Sequence, residues 1–298
     1  MKHIFDLYYD PIDMSCCVDT QELIETLESK MTKDNLFFPF YQKNKTLREV
    51  MQYSNFDTFS YRFGCIADNI LGVLFEDKNG LQYQIGARVV KNVTGFDFTR
   101  FFCQNENEFG VIRRAILRLR PKPEIFQQVV LLDSKDNCEK FCDLILHSVW
   151  ATSLMGMEFI GNKKEYKVII TIGGNSQEIE ILTKALLSFS AKISVRLVVQ
   201  NLEEGNNAEY LASGNLLLSK NIELADYLIK QYGGVYKGFL GNGVFLYNPQ
   251  ETDRFISSET EIVSKLQSYK GSIYWKQQKN QWENLSDIRK QLLLAMKD

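Results

Sequence analysis

Beyond Pro123 the chain reads strand, helix, strand, strand, helix, strand, and then repeats that order, which restricts the second half to very few architectures. The first set comprises residues 125–132, 136–149, 155–160, 166–172, 176–189 and 193–200. The second comprises 214–219, 222–232, 235–240, 244–247, 251–269 and 272–277, with a last helix at 282–296. This is the split βαβ order, in which the helices cover one face of an antiparallel sheet. Residue-level similarity between the two sets is faint, so the reading rests on element order. The polar stretch 201–207 between them reads as a surface loop.

Pro121 and Pro123 break regular structure and mark the boundary with the first half. There, an apolar run at 70–77 and an alternating run at 81–85 flank Asn79-Gly80, which predicts a hairpin with a tight two-residue turn. A further strand is expected over 111–119. Arg113, Arg118 and Arg120 interrupt its inward Ile112, Ala115, Leu117 and Leu119 imperfectly, so its register is open. The four arginines 113, 114, 118 and 120 read as a solvated face or a subunit contact. Upstream, Asp19-Thr20-Gln21-Glu22 has the form of a capping box before a helix carrying Leu23, Ile24, Leu27 and Met31. Pro39 argues for an extended entry at 37–40, and 46–53 reads as a short helix.

With 298 residues, 45% of them apolar, the chain can build two substantial cores. A net charge of -2 gives no electrostatic reason to expect nucleic acid or an acidic membrane as partner. There is no apolar run of about eighteen residues and no apolar leader, so the expectation is a cytoplasmic protein without a spanning segment. Six cysteines show no metal-ligand spacing; Cys138 and Cys142 fall on the stripe of Phe141, Ile145 and Val149 as core thiols, and Cys16-Cys17 fit a strand. His3 and His147 lack a nucleophile partner, so neither a metal nor a hydrolytic triad is expected. Gly173-Gly174 and Gly233-Gly234 lie where a strand meets a helix or a helix ends and read as caps, whereas Gly238, Gly241 and Gly243 join two strands and read as a hairpin turn. Tyr274 and Trp275 read as strand packing.

The turn-rich stretch from Lys91 to Asp97 is the densest polar feature. Gly95 permits positive φ and close approach of a backbone or ligand, and Asn92 and Asp97 can brace a loop. Two readings stay open on the residues alone: a ligand site, or a connection whose Asn and Asp cap turns. The run Gly86 to Asp97, GARVVKNVTGFD, resembles the Gly-Gly-x-x-x-Lys-Asn-Val-Ala-Gly-Tyr-Asp stretch of the vanillyl-alcohol oxidase (PCMH-type) FAD-binding flavoproteins. Within that family it is most similar to the small FAD-domain subunit of bacterial glycolate oxidase. Phe63 to Gly72 is similar to the family's Tyr-Gly-x-x-Arg-Asp-x-Val-Leu-Gly, and Gly110-Val111-Ile112 to the end of its next glycine-rich stretch.

The resemblance implies an α+β fold: a remnant of a PCMH-type FAD-binding domain over 1–122, then a cap domain of two ferredoxin-like βαββαβ units over 123–298. It implies FAD as cofactor, with Gly64, Asp68, Lys91, Asn92, Gly95, Asp97, Gly110, Val111 and Ile112 beside it. It also implies oxidation of a small 2-hydroxy acid, and a larger catalytic flavoprotein or iron-sulfur subunit as partner, through which the chain would reach a membrane. No residue stands out as a catalytic base.

Departures from the family pattern carry a second expectation. The chain opens after the pyrophosphate-binding loop and stops before the family's usual tail, as a member trimmed at both ends would. Thr46-Leu47-Arg48-Glu49 stands where the family has Thr-Leu-Gly-Gly, and Gln104 to Phe109 stands in place of Gly-Ser-Leu-Gly. Glu106 and Glu108 there would repel a dinucleotide's phosphates, by about 1 kcal/mol per pair in a wet site. These changes fit a degenerate, flavin-free structural or regulatory subunit of a flavoprotein oxidase complex.

Overall fold

The computed structural model describes residues 5–40, 42, 44–53, 56–88, 97–202 and 210–275. The expected last helix and most of the 201–207 loop lie outside them, as do Lys91, Asn92 and Gly95. The chain divides into two compact units, one ending at Pro123 and the other beginning at Glu124.

The first unit is built on an antiparallel five-stranded sheet. Its strands are β1 (Tyr8–Asp10), β2 (Ser15–Asp19), β4 (Ile70–Asp77), β5 (Gln82–Gly86) and β6 (Gly110–Arg118), in the order β1-β2-β6-β4-β5. A small ribbon pairs β3 (Leu36–Phe37) with β7 (Arg120–Pro121). Its helices are α1 (Ile24–Met31), α2 (Leu47–Tyr53), α3 (Ser60–Phe63) and α4 (Phe98–Phe109). Central β6 is buried on both faces: Ala115, Ile116 and Leu117 have no exposed surface.

Two bulges in the β4–β6 ladder explain why alternation misled the sequence reading of β6. Leu71 is extra on β4 between Ile70 and Gly72, and Arg113 is extra on β6, where Leu74 pairs with Arg114 but Phe75 with Ile112. Arg113 and Arg114 therefore do not share a face. Arg113 reaches Glu76 at 2.5 Å, while Arg114 donates to the Phe5 carbonyl at 2.7 Å.

Other local expectations need correction. The β4–β5 connection has three residues, not two: the Asp77 N–H donates to the Leu81 carbonyl, leaving Lys78, Asn79 and Gly80 as the loop. Gly80 takes φ +81° there, as a hairpin of this length requires, and the Asp77 carboxylate accepts from the N–H groups of Asn79 and Leu81. The box expected at Asp19 to Glu22 does not form. The Thr20 hydroxyl donates instead to the Ile112 carbonyl at 2.6 Å, and α1 begins at Ile24 without a side-chain cap.

The second unit carries β8 (Ile125–Asp133), α5 (Lys135–Leu146), β9 (Gly156–Gly161), β10 (Tyr166–Gly174), α6 (Ser176–Lys192) and β11 (Leu197–Asn201). It continues with β12 (Ala212–Asn215), α7 (Asn221–Tyr232), β13 (Val235–Phe239), β14 (Val244–Asn248), α8 (Thr252–Ser257), α9 (Glu259–Ser268) and β15 (Ser272–Trp275). One eight-stranded antiparallel sheet results, in the order β11-β8-β10-β9-β13-β14-β12-β15. Its two halves have strand orders 4-1-3-2 and 2-3-1-4, so each is a split βαβ unit and they join through their second strands, β9 and β13.

The apolar residues that alternate along β8, β9 and β10 (Val129, Leu131, Met157, Phe159, Val168, Ile170) are essentially fully buried. Cys138, Phe141, Cys142 and Ile145 form the buried stripe of α5. Asn175 and Glu178 form a complete capping box at the start of α6. At the junction, the Lys237 ammonium on β13 lies 3.0 Å from the Glu158 carboxylate on β9, with side chains 7% and 2% exposed.

Candidate functional site

The candidate cofactor residues that the structure describes all lie in the first unit, and each has a role in holding that unit together. Asp97 caps α4: its carboxylate accepts from the Arg100 N–H at 3.0 Å, and its carbonyl from the Phe101 N–H. One oxygen of Asp68 accepts from the Cys65 N–H at 2.8 Å, while the other is paired with the Arg100 guanidinium. Gly64 takes φ +80° at the end of α3, and a methyl group on it would collide with that same Asp68 carboxylate.

Gly110, Val111 and Ile112 lie in the β6 ladder opposite Asp77, Glu76 and Phe75. At Gly110 the backbones approach so closely that a methyl would meet the Glu76 carbonyl and the Phe75 ring. Gly86, which opens the family-like stretch, faces Gly72 across the hairpin, and its missing side chain makes room for the Leu71 carbonyl and the Thr99 hydroxyl.

The two segments that depart from the family pattern are also locally determined. Thr46 to Glu49 is a capping box: the Glu49 carboxylate accepts from the Thr46 N–H at 2.7 Å and the Thr46 hydroxyl at 2.9 Å. Those hydrogen bonds, the backbone one foremost, hold the Glu49 pKa below the usual carboxylate range. Residues 104–109, which stand in place of the family's Gly-Ser-Leu-Gly, are the last turns of α4. Phe98, Phe101, Phe102 and Phe109 recur at helical spacing, and Phe102 stacks on Phe75 of β4 at 4.1 Å between ring centroids. That aromatic recurrence is the signal that could have revealed the helix.

Five of the six thiols are held protonated by burial. Burial pushes Cys16 and Cys138 up to about 12 and Cys17 up to about 11, and raises Cys142 and Cys65 as well.

No family model matches the chain. Among curated proteins, glycolate oxidase subunit GlcD of Bacillus subtilis (strain 168) is 29% identical over 118 residues, which are 39% of this chain and 24% of that protein. Among solved structures, alkyldihydroxyacetonephosphate synthase in two crystal forms covers 100% of this chain, with TM-scores of 0.66 and 0.64 at 13% and 12% identity. The matched portion is 64% and 65% of those chains, so this chain spans about a quarter of the curated relative and under two thirds of the solved structures.

The fold is therefore the PCMH-type FAD-binding fold. In sequence, the chain resembles PCMH-type FAD-binding proteins over the 118 residues matched to GlcD. Among the described residues no helix is long and apolar enough to cross a membrane.

At the described glycines of the motif, a side chain would meet atoms of this chain. Glycines serve a cofactor by leaving backbone open to it. Here the space beside Gly64, Gly72, Gly86 and Gly110 is filled by this chain's own carboxylate, carbonyl and side-chain atoms.

Proposed function

We propose that the chain is a flavin-free structural or regulatory subunit of a flavoprotein oxidase assembly, retaining the PCMH-type fold while a larger catalytic flavoprotein or iron-sulfur partner carries the redox chemistry. The observation that carries this reading is the occupied space at Gly64, Gly72, Gly86 and Gly110. The α4 helix over 98–109, in place of a glycine-rich approach to the cofactor, supports it further. On this reading Asp68, Asp97 and Gly110 are structural residues, and any 2-hydroxy acid is oxidised on the partner.

A second reading is favoured by the sequence match alone: an FAD-dependent subunit oxidising a small 2-hydroxy acid, with Lys91, Asn92 and Gly95 contributing to the flavin site. When bound, FAD would accept the hydride, and this chain would supply position and electrostatics.

The deciding measurement is the visible absorbance of the purified full chain, before and after incubation with FAD. The expected protein is colourless, stays so after FAD and desalting, and co-purifies with a flavoprotein when expressed with its native partners. A yellow protein releasing one FAD per chain would overturn the proposal and establish the second reading.

A further inference from the structure

One cleft in the first unit is lined by three guanidinium groups, and they differ in how their charges are answered. It has a volume of about 150 Å³, and Arg88, Arg118 and Arg120 line it together with Asp13, Met14 and Leu71. Arg88 is fully engaged: its Nη2 lies 2.7 Å from Asp10 and 3.0 Å from Asp13, and its guanidinium stacks 4.2 Å over the Tyr8 ring. Arg118 is half-buried and has no ion pair among the described residues.

Arg120 is the more constrained. Its Nε is buried with no hydrogen-bond partner, its Nη2 reaches only the neutral Asn69 Oδ1 at 3.3 Å, and its guanidinium lies 5.4 Å from the Phe63 ring centroid. Burial, and then the charge of Arg118, lowers its pKa.

The backbone holds this arrangement in place. Arg118 and Arg120 flank the buried Leu119, whose N–H donates to the Met14 carbonyl at 2.8 Å, and Arg120 is paired with Phe37 in the β3–β7 ribbon. Residues two apart on an extended chain point the same way, so two like charges are brought to one cleft, whose one lining carboxylate, Asp13, is taken up by Arg88 and the Ser15 hydroxyl. A buried guanidinium donor without an acceptor is costly, and a planar fork of donors matches an oxyanion. Two unanswered positive charges fit a dianion better than a monoanion. The cleft has room for a single phosphate group.

We infer that this cleft binds the phosphate group of a small soluble ligand, bridged between Arg118 and Arg120. It shares no residue with the nine flavin candidates, so the inference stands or falls separately from the proposed function.

The test uses the full chain and inorganic phosphate as probe, at constant ionic strength with sodium chloride as balance and sodium acetate as a carboxylate comparison. Calorimetric titration and the thermal midpoint are both read. Phosphate is expected to bind and raise the midpoint where chloride and acetate do not. Arg118→Ala, at a half-buried position without a partner, is expected to keep the native circular dichroism and to weaken phosphate at least tenfold. Arg118→Lys, which keeps the charge but loses the fork, should fall between. Equal effects of phosphate and chloride, or unaltered phosphate affinity in a folded Arg118→Ala protein, would overturn the assignment. Acetate binding as well as phosphate would overturn it in favour of an acidic protein side chain as occupant.

Discussion

Gly110 leaves no room for a methyl group between itself and the backbone of Glu76 and Asp77. Gly110→Ala should therefore cost about 1–3 kcal/mol in denaturant unfolding, because the ladder must part to admit one carbon. The buried thiols make a second prediction. Cys16, Cys17 and Cys138 have folded pKa values of about 11 to 12 against an ordinary value of 9. A raised folded pKa means that the unfolded chain loses its protons first. Their stability contribution is thus complete below pH 9 and is lost as pH rises from 9 toward 12, at about 1.4 kcal/mol per pH unit for each thiol titrating. Urea midpoints measured from pH 8 to pH 11 should fall accordingly, and the loss should shrink in Cys138→Ala. The burial of Cys138 and Cys142 was legible from spacing, since a helical stripe needs only local sequence. The structural role of Asp68 was not, because its Arg100 partner is 32 residues away.

At the scale of elements, α4 depends on both ends of its own sequence. Asp97→Ala removes the side-chain cap and should cost about 1 kcal/mol, read by thermal unfolding, while Asp97→Asn should cost less because its amide oxygen can still accept. The sequence alone assigned no element to 98–109, where five polar residues, 104–108, interrupt the aromatic recurrence before Phe109. The hairpin and the strands of the second unit were legible, since alternation and turn residues are properties of short segments. The bulge at Arg113 was not, since it records a mismatch with β4 that no single strand reveals. The Glu158–Lys237 pair belongs here as well. Lys237→Met should destabilise the second unit by about 3–5 kcal/mol, and adding Glu158→Leu should restore much of that, because the larger penalty comes from stranding one buried charge.

For the molecule as a whole, the proposed function predicts indifference to flavin. A ligand present at about a hundred times its Kd adds about 2.7 kcal/mol of stability, which would raise the melting midpoint by several degrees. Free FAD is expected to leave the midpoint of the full chain unchanged. The order of elements beyond Pro123 was enough to anticipate two like-ordered units. That the two units join as one sheet follows from their like order, and they do; which edges meet was beyond the reach of local patterning, because it is decided at a single strand pair. That pair, β9 against β13, has a consequence for symmetry. Two identical copies of the first half joined at the same edge would bury Glu158 twice with no cation on either strand. Two copies of the second half would bury Lys237 twice with no carboxylate. Opposite charges can meet at this seam only because the halves are unlike, so the pair selects the mixed arrangement and disfavours either half associating with itself.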